Sequence, residues 1–575
     1  MTEDWRLGMF ATPQVNARFL PGGEIRLASR IPASPRARTI LDWLVRWAAQ
    51  TPDTPFITEW VSEGAQRRPL SYGRAWHDSG RIAAGLLALQ LRPGDRLIVL
   101  APNGIGHMKI ALAALRAGIV YVPIAPQYAA FGADAAKFAG VVEMIRPAAV
   151  YCDTVESVPL AVGASRLIEG EAGLDELMAR NTDRADPDIA ALDPQAPAKL
   201  LLTSGSTGTP KPVPYSHALM TDNLQATVDV WPFVTRGKPV LVDWLPWNHA
   251  FGGSNNVHLV LSQGGTLHVD ESRGRPEATA RCLKNLRDLR PTFHGAVPAG
   301  WAALLPTIEV DGSFREAFFG RLDAMFSAGA AMSADLFERL SRASALVRGR
   351  PIPILTGWGA TETGPGATLV HECDVWPGWI GTPVPGAEIR LVPHGDKYEL
   401  RVRGPSVMPG YWERPDLTAK VFDEEGFYRT GDAGKLVDPN NPDLGLLFDG
   451  RLADDFKLAN GSWVNVSRLR LELLRRADGA LYDIVIVGAD RPCIAALCWV
   501  AEPTVLDNLF AAHNLEHRSQ TTRIGAFAAL SPPPCAETGE LTAKGEINRR
   551  ALLARRPGAV AALYEEPILT TGGPS

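Results

Sequence analysis

Residues 201–217, LLTSGSTGTPKPVPYSH, place a run of hydroxyl side chains and two glycines between an apolar stretch and Lys211. Glycine admits positive φ and close backbone approach, so such a loop can wrap an anion with N–H and O–H donors. Phosphate is the natural guest. The common nucleotide loop G-x-x-x-x-G-K-[ST] does not fit, because counting from Gly205 puts Pro210 at the second glycine and Pro212 after the lysine. Taken alone, the segment also reads as a Ser/Gly-rich surface turn.

Two other stretches carry compatible chemistry. GWGATETGPG, residues 357–366, follows the apolar run IPIL, so a strand would deliver Trp358, Thr361 and Glu362 to a glycine-rich turn at its carboxyl end, where open α/β sheets bind ligands. An indole can stack on a base, and a carboxylate can hold Mg²⁺ against phosphate oxygens. In FYRTGDAGKL, Asp432 falls in a tight turn and offers two acceptor oxygens, enough for both hydroxyls of a ribose. The plain alternatives are a core tryptophan, a surface glutamate and an Asx-turn.

These segments need a scaffold, and 575 residues, 46% hydrophobic and 21% charged, supply more than one core. The formal charge of −5 arises from 58 basic and 63 acidic residues without a long basic run, which argues against a nucleic-acid surface. The six cysteines form no C-x-x-C pair and no Cys/His ligand cluster, as suits a reducing compartment. The first residues, MTEDWRLGMF, lack the basic flank and apolar core of a signal peptide, and no 18-residue apolar run follows. The reading is a cytoplasmic protein that engages no membrane.

GDRLIVLAPNGIGHMKIALAALRAGIVYVPI reads as a βαβ unit, with strands at 97–101 and 119–124 and a helix from Ile105 to Ala117. The same rhythm at AAVYCD, KPVLVDWLPW, GGTLHVD and PIPILTGWG predicts mostly parallel sheets covered by helices. From residue 383 the texture changes to short strands punctuated by Gly and Pro, as in a small distorted barrel. A further α+β stretch follows a boundary placed near Asp449. The expected class is therefore α/β, with an N-terminal domain at 1–449 and a small C-terminal domain at 450–575.

LLTSGSTGTPKPVPYSH, GWGATETG, YRTGDAGKL, DGRLADDFKLANG and LTAKGEINRR occur in the order, and at about the spacing, of the adenylate-forming superfamily of acyl-CoA synthetases, luciferases and adenylation domains. The chain resembles that superfamily over nearly its whole length. WLPWNHAFGG, with GMFATPQV, looks most like feruloyl-CoA synthetases. The resemblance implies ATP, Mg²⁺ and coenzyme A as cofactors and a small-molecule carboxylic acid as substrate. It implies a phosphate loop of Thr203, Ser204, Gly205, Ser206, Thr207, Gly208 and Lys211. Trp358 would take the place of a customary tyrosine against adenine, with Gly329, Ala330 and Ala331 of SAGAAM beside it. Thr361 would meet the α-phosphate, Glu362 would bind Mg²⁺, and Asp432 and Arg451 would hold the ribose. His249 would lie by the acyl carboxylate. Lys544 would serve adenylation and Lys457 thioester formation, exchanged by rotation of a mobile C-terminal domain about a hinge where Ala453 replaces the usual Asp or Lys.

Trp244, Trp247 and Trp301 suit a flat aromatic acid or, equally, a core. The rival readings are a stand-alone module loading a carrier-protein thiol, a medium-chain fatty acyl-CoA ligase, and a catalytically idle binding protein.

Overall fold

The protein is described here from a computed structural model. It covers residues 8–565 apart from 62–65, 127–132, 154–165, 181–185, 204–209, 271, 273–278, 478, 501, 536–537 and 542–546. The predicted βαβ unit is present: strands Arg96–Leu100 and Val120–Pro123 pair in parallel around helix Ile105–Arg116. All four residues of Val120–Pro123 are buried, as are most of the helix's, because this unit is covered on both faces and reads as continuous apolar sequence. Around it lies a six-stranded sheet that ends in the antiparallel pair Pro197–Thr203 and Lys211–Ser216.

A second, four-stranded sheet contains Val240–Asp243 and Thr266–Val269 in parallel, followed by Pro55–Val61 and Gln66–Ser71. The amphipathic helix Tyr72–Ala88, whose first turn Ser71 caps by accepting from Arg74 N, packs against the helices Ile40–Gln50, Ile105–Arg116 and Gly170–Ala179. The Tyr72 hydroxyl, though buried, donates to the carbonyls of Val260 and Gly265 at 3.0 Å, which satisfies it.

The third sheet is the largest, with eleven strands. It begins with the parallel strands Phe293–Ala296, Ala324–Ser327 and Ile354–Trp358, then turns antiparallel through Thr368–Leu369, Trp379–Pro383, Leu446–Arg451, Tyr428–Leu436, Lys397–Arg403 and Glu388–His394. This is the expected barrel-like texture. Its outermost members were not anticipated: the N-terminal hairpin Val15–Phe19 and Ile25–Ser29 pairs with Glu388–His394.

Residues from Phe456 onward build their own core around the three strands Leu481–Val487, Ile494–Val500 and Ile524–Ala529, giving the small α+β C-terminal domain. Lys397 of the barrel reaches the connection to it. Only 3% of its side chain is exposed; its ammonium pairs with Asp455 and donates to the Asp449 carbonyl at 2.9 Å.

Candidate active site

Strand Ile354–Trp358 runs into a single tight turn, Thr361–Thr363. Gly359 makes the turn possible, because a Cβ there would sit 1.9 Å from the Pro365 carbonyl oxygen. Three segments distant in sequence pin the turn. The Tyr215 hydroxyl donates to the Thr361 carbonyl at 2.5 Å, Met408 N donates to the Glu362 carbonyl at 2.9 Å, and the Tyr411 hydroxyl donates to Glu362 Oε1 at 3.0 Å. Glu362 is buried, 8% exposed.

Tyr411 connects this carboxylate to the foot of the Ser/Gly-rich loop. Lys211 Nζ lies 5.3 Å from the centroid of the Tyr411 ring, within cation–π range, and Trp412 N donates to the Pro212 carbonyl. Thr203 and Lys211 face each other in the antiparallel register, with Thr203 Oγ1 donating to the Lys211 carbonyl at 3.4 Å. Ser204, Gly205, Ser206, Thr207 and Gly208 lie outside the described residues. Tyr411 also hydrogen-bonds Tyr428, and burial with the neighbouring Glu362 charge pushes both phenols well above their ordinary pKa. Both therefore remain neutral donors. The sequence reading did not single out Tyr411; within PSVMPGYW nothing marks it off from a core aromatic.

Asp432 is not in a tight turn. It belongs to strand Tyr428–Leu436, at an irregularity in the register with Leu446–Arg451 that sets it opposite Arg451. Its Oδ2 accepts from the Trp358 indole N–H at 2.9 Å, and its Oδ1 lies 3.3 Å from Arg451 Nε. Arg451 is largely exposed, whereas Trp358 packs into the barrel core at 8% exposure. Two contact groups result: Thr361, Glu362, Lys211 and Thr203, joined through Tyr215 and Tyr411, and Trp358, Asp432 and Arg451, the two connected by the strand end and turn from 358 to 362.

Gly329, Ala330 and Ala331 follow the neighbouring parallel strand Ala324–Ser327, in register with Ile354–Trp358, and are exposed. They reach the same carboxyl edge of the sheet, where a ligand has access.

His249 sits in the turn after strand Val240–Asp243, which continues into the π-helical segment Phe251–Asn256. The glycines of this turn are steric necessities: a Cβ on Gly253 would meet the Trp247 carbonyl oxygen at 2.0 Å. Phe251 packs edge-on to Phe326 with ring centroids 5.2 Å apart, which brings the turn against strand Ala324–Ser327.

Two buried ionisable groups brace the turn from beneath. Lys199 Nζ donates to the Gly253 carbonyl at 2.8 Å and lies 3.2 Å from Ser254 Oγ; burial draws its pKa down to about 7. Asp243 accepts from Leu245 N at 2.9 Å and Asn256 Nδ2 at 3.1 Å, and burial raises it to about 7. The sequence reading passed over both, since each sits inside an apolar strand.

Trp247 and Trp301 are 2% and 0% exposed and belong to core clusters, so the core reading holds for these two. Trp244 alone is half-buried; its ring packs over Gly300, where a Cβ would lie 3.1 Å from Cζ2. Lys457 is exposed on the short hairpin Phe456–Lys457 with Trp463–Val464, its ammonium 5.1 Å from the Trp463 ring centroid. Lys544 lies outside the described residues.

The sequence profile of the AMP-binding enzyme family matches residues 44–412. A feruloyl-CoA synthase from Amycolatopsis sp is 30% identical over 404 residues, covering 68% of this chain and 75% of that protein. A long-chain-fatty-acid–CoA ligase from Mycobacterium bovis is 25% identical over 573 residues, covering 84% and 90%. Among solved structures, the o-succinylbenzoate coenzyme A synthetase of Bacillus subtilis in complex with AMP superposes with a TM-score of 0.69 at 19% identity, covering 88% and 97%. The adenylation domain of a carboxylate reductase from Mycobacterium chelonae superposes with a TM-score of 0.71 at 22% identity, covering 92% and 91%. Among the described residues no helix is long and apolar enough to cross a membrane.

Proposed function

Because this chain belongs to the AMP-binding enzyme family, we propose that it ligates an aromatic carboxylic acid, ferulate or another hydroxycinnamate, to coenzyme A by way of an acyl-adenylate. A free carboxylate is a poor acyl donor, since its charge repels nucleophiles and oxide is a hopeless leaving group. Attack of its oxygen on the α-phosphorus of ATP forms the acyl–O–P bond and releases pyrophosphate. The thiol of coenzyme A, losing its proton, then attacks the acyl carbon to form the C–S bond, and AMP leaves with the electron pair of the broken acyl C–O bond. The first step presses two anions together, so it needs fixed cationic and N–H or O–H groups around the phosphates.

The observation that carries the reading is one strand end and turn that holds Glu362, bridged to Lys211 by Tyr411, four residues after Trp358, which holds Asp432. Lys211 neutralises phosphate charge at the foot of the loop 204–209. Glu362 suits Mg²⁺: it is a buried hard-oxygen ligand whose orientation the Tyr411 hydroxyl fixes. The metal, when bound, withdraws charge from the phosphate oxygens. Thr361 lies beside it for the α-phosphate, and Asp432 with Arg451 takes the ribose hydroxyls. His249 and Trp244 border the acyl end, beside Gly329, Ala330 and Ala331. In this reading residues 450–575 rotate as a unit, presenting Lys544 for adenylation and Lys457 for thioester formation.

Hydroxycinnamate is favoured by the 30% identity to a feruloyl-CoA synthase. A long-chain acyl substrate is the second reading, favoured by the wider coverage of the fatty-acid ligase. Pyrophosphate release across aryl, cinnamic and fatty acids, with and without coenzyme A, tests both. Ferulate or p-coumarate turning over faster than octanoate, with AMP as product, supports the first; a higher kcat/KM for alkyl acids rejects it, and release of ADP and phosphate rejects the ligase reading altogether.

A further inference from the structure

In the C-terminal domain, far along the chain from these residues, helix Val466–Arg476 and the end of helix Val505–Glu516 bring Glu472, His513 and His517 together. A carboxylate oxygen of Glu472 and one ring nitrogen from each histidine all lie within 4.8 Å of one another. The His513 side chain is fully buried, while those of Glu472 and His517 are 19% and 28% exposed.

The state of His513 follows from its partners. Its Nε2 lies 2.9 Å from the Thr522 carbonyl oxygen, which can only accept, so Nε2 carries the proton. In the neutral ring Nδ1 is then a bare lone pair. It lies 3.6 Å from Glu472 Oε1 and meets no hydrogen-bond donor among the described residues. The buried Nδ1 lone pair therefore faces an acceptor instead of a donor, which costs free energy unless a cation joins the two.

The surroundings favour a bound cation. His517 Nε2 meets the same Glu472 carboxylate, and the two imidazoles lie stacked with centroids 4.3 Å apart, so a turn of the partly exposed His517 ring aims both nitrogens at one point. The last carbonyls of the 12-residue helix Val505–Glu516 add partial negative charge. The charge of the neighbouring Arg476 is taken up by Glu516, whose carboxylate accepts from its guanidinium. The Thr522 carbonyl supplies the outer-shell hydrogen bond that metal-ligating histidines characteristically make.

We propose that Glu472, His513 and His517 bind one divalent first-row transition ion, Zn²⁺ being the best match. Two imidazoles and a carboxylate select Zn²⁺ over Mg²⁺, and three protein ligands leave a coordination position for water or a further ligand. The ion ties the first helix of the small domain to the end of its third-strand-facing helix, and it is separate from the Mg²⁺ assigned to Glu362. The H-x-x-x-H spacing at 513–517 is visible in the sequence; the third ligand comes from another helix and is not.

The test is titration of the full chain, stripped by a chelator that is then removed, with Zn²⁺ in the presence of millimolar Mg²⁺ by calorimetry, and with Co²⁺ by visible absorption. The expected result is one Zn²⁺ per chain, bound at least about tenfold more weakly after Glu472→Gln or His517→Gln. Both side chains are partly exposed, so these variants test binding without emptying the core that His513 occupies. Zn²⁺ should raise Tm in the parent and not in the variants, and Co²⁺ should give d–d bands without the thiolate charge-transfer band expected from any of the six free cysteines. Absence of stoichiometric binding, equal binding by the variants, or a thiolate band overturns the proposal and leaves Glu472 and His517 as an ordinary ion pair.

Discussion

The indole N–H of Trp358 donates to Asp432 Oδ2 at 2.9 Å, joining the end of a parallel strand to a carboxylate 74 residues later. Asp432 is thereby fixed on one oxygen by Trp358, while Arg451 approaches the other. A phenylalanine could present a flat face at position 358 but could not hold that carboxylate.

Trp358→Phe keeps the ring and removes the donor. A hydrogen bond to a charged acceptor contributes about 1.5–3 kcal/mol, so ATP affinity should fall roughly ten- to a hundredfold with the acid KM little changed. Direct binding of ATP to the chain, followed by calorimetry beside the steady-state constants, checks this. An unchanged ATP affinity would mean that Asp432 needs no help from the indole.

Tyr411→Phe tests the link between Lys211 and Glu362. The variant keeps the aromatic face under the ammonium and loses only the hydroxyl that orients the carboxylate. Loss of an outer-shell bond to a metal ligand typically weakens the metal about 10- to 100-fold, so the Mg²⁺ concentration for half-maximal activity should rise by that order. A Mg²⁺ titration at saturating ATP and acid reads the shift directly; an unmoved midpoint would remove Glu362 from the metal site.

Lys544→Ala and Lys457→Ala should damage different half-reactions. By analogy with a lost transition-state donor, Lys544→Ala should slow acyl-adenylate formation by about 10² to 10³. Lys457→Ala should spare that step and slow thioester formation from synthetic acyl-AMP and coenzyme A. Single-turnover kinetics on both variants separates the steps. Equal damage to both steps by both substitutions would place the two lysines in one fixed site and end the domain-rotation reading.

Acid should unfold the protein steeply. Burial lowers His107, His217, His268, His294 and His371 to about 4 from an ordinary 6.5. Between these values the unfolded chain binds more protons than the folded one, so stability is retained above pH 6.5 and lost as pH falls toward 4. Five such groups give a slope on the order of 5 kcal/mol per pH unit near pH 5. Asp243, raised to about 7, acts in the opposite sense but is a single group. Denaturant midpoints measured from pH 7.5 to 4.5 give the proton uptake; a flat profile would mean that these histidines titrate in the fold as they do in the unfolded chain.

The sequence showed most clearly what local periodicity governs. The βαβ unit at 96–123 and the strand leading to Trp358 were readable because buried parallel strands and their crossover helix write contiguous apolar patterns. The turn at Thr361–Thr363 was readable from its chemistry. Contacts between remote segments were not. Tyr411 is an ordinary aromatic until Lys211 and Glu362 are brought beside it, and Lys199 is one charge in an apolar strand until the Gly253 carbonyl folds over it. Asp432 was misplaced in a turn because Thr-Gly-Asp-Ala-Gly has turn composition, yet Leu446–Arg451 recruits it into a strand. Trp247 and Trp301 suited a pocket wall and a core equally, because composition alone does not distinguish a core tryptophan from a lining one.

The order of the eleven-stranded sheet sets practical limits on where the chain can be cut. A fragment spanning 44–412 would retain Glu388–His394 but lose its neighbour Ile25–Ser29. It would likewise retain Lys397–Arg403 and Trp379–Pro383 while losing Tyr428–Leu436 and Leu446–Arg451. Three strands would then offer unpaired N–H and C=O rows to solvent, and such rows recruit strands from other molecules. A soluble large domain therefore has to begin before Val15 and run through Arg451, and a shorter piece is expected to self-associate however complete its phosphate loop.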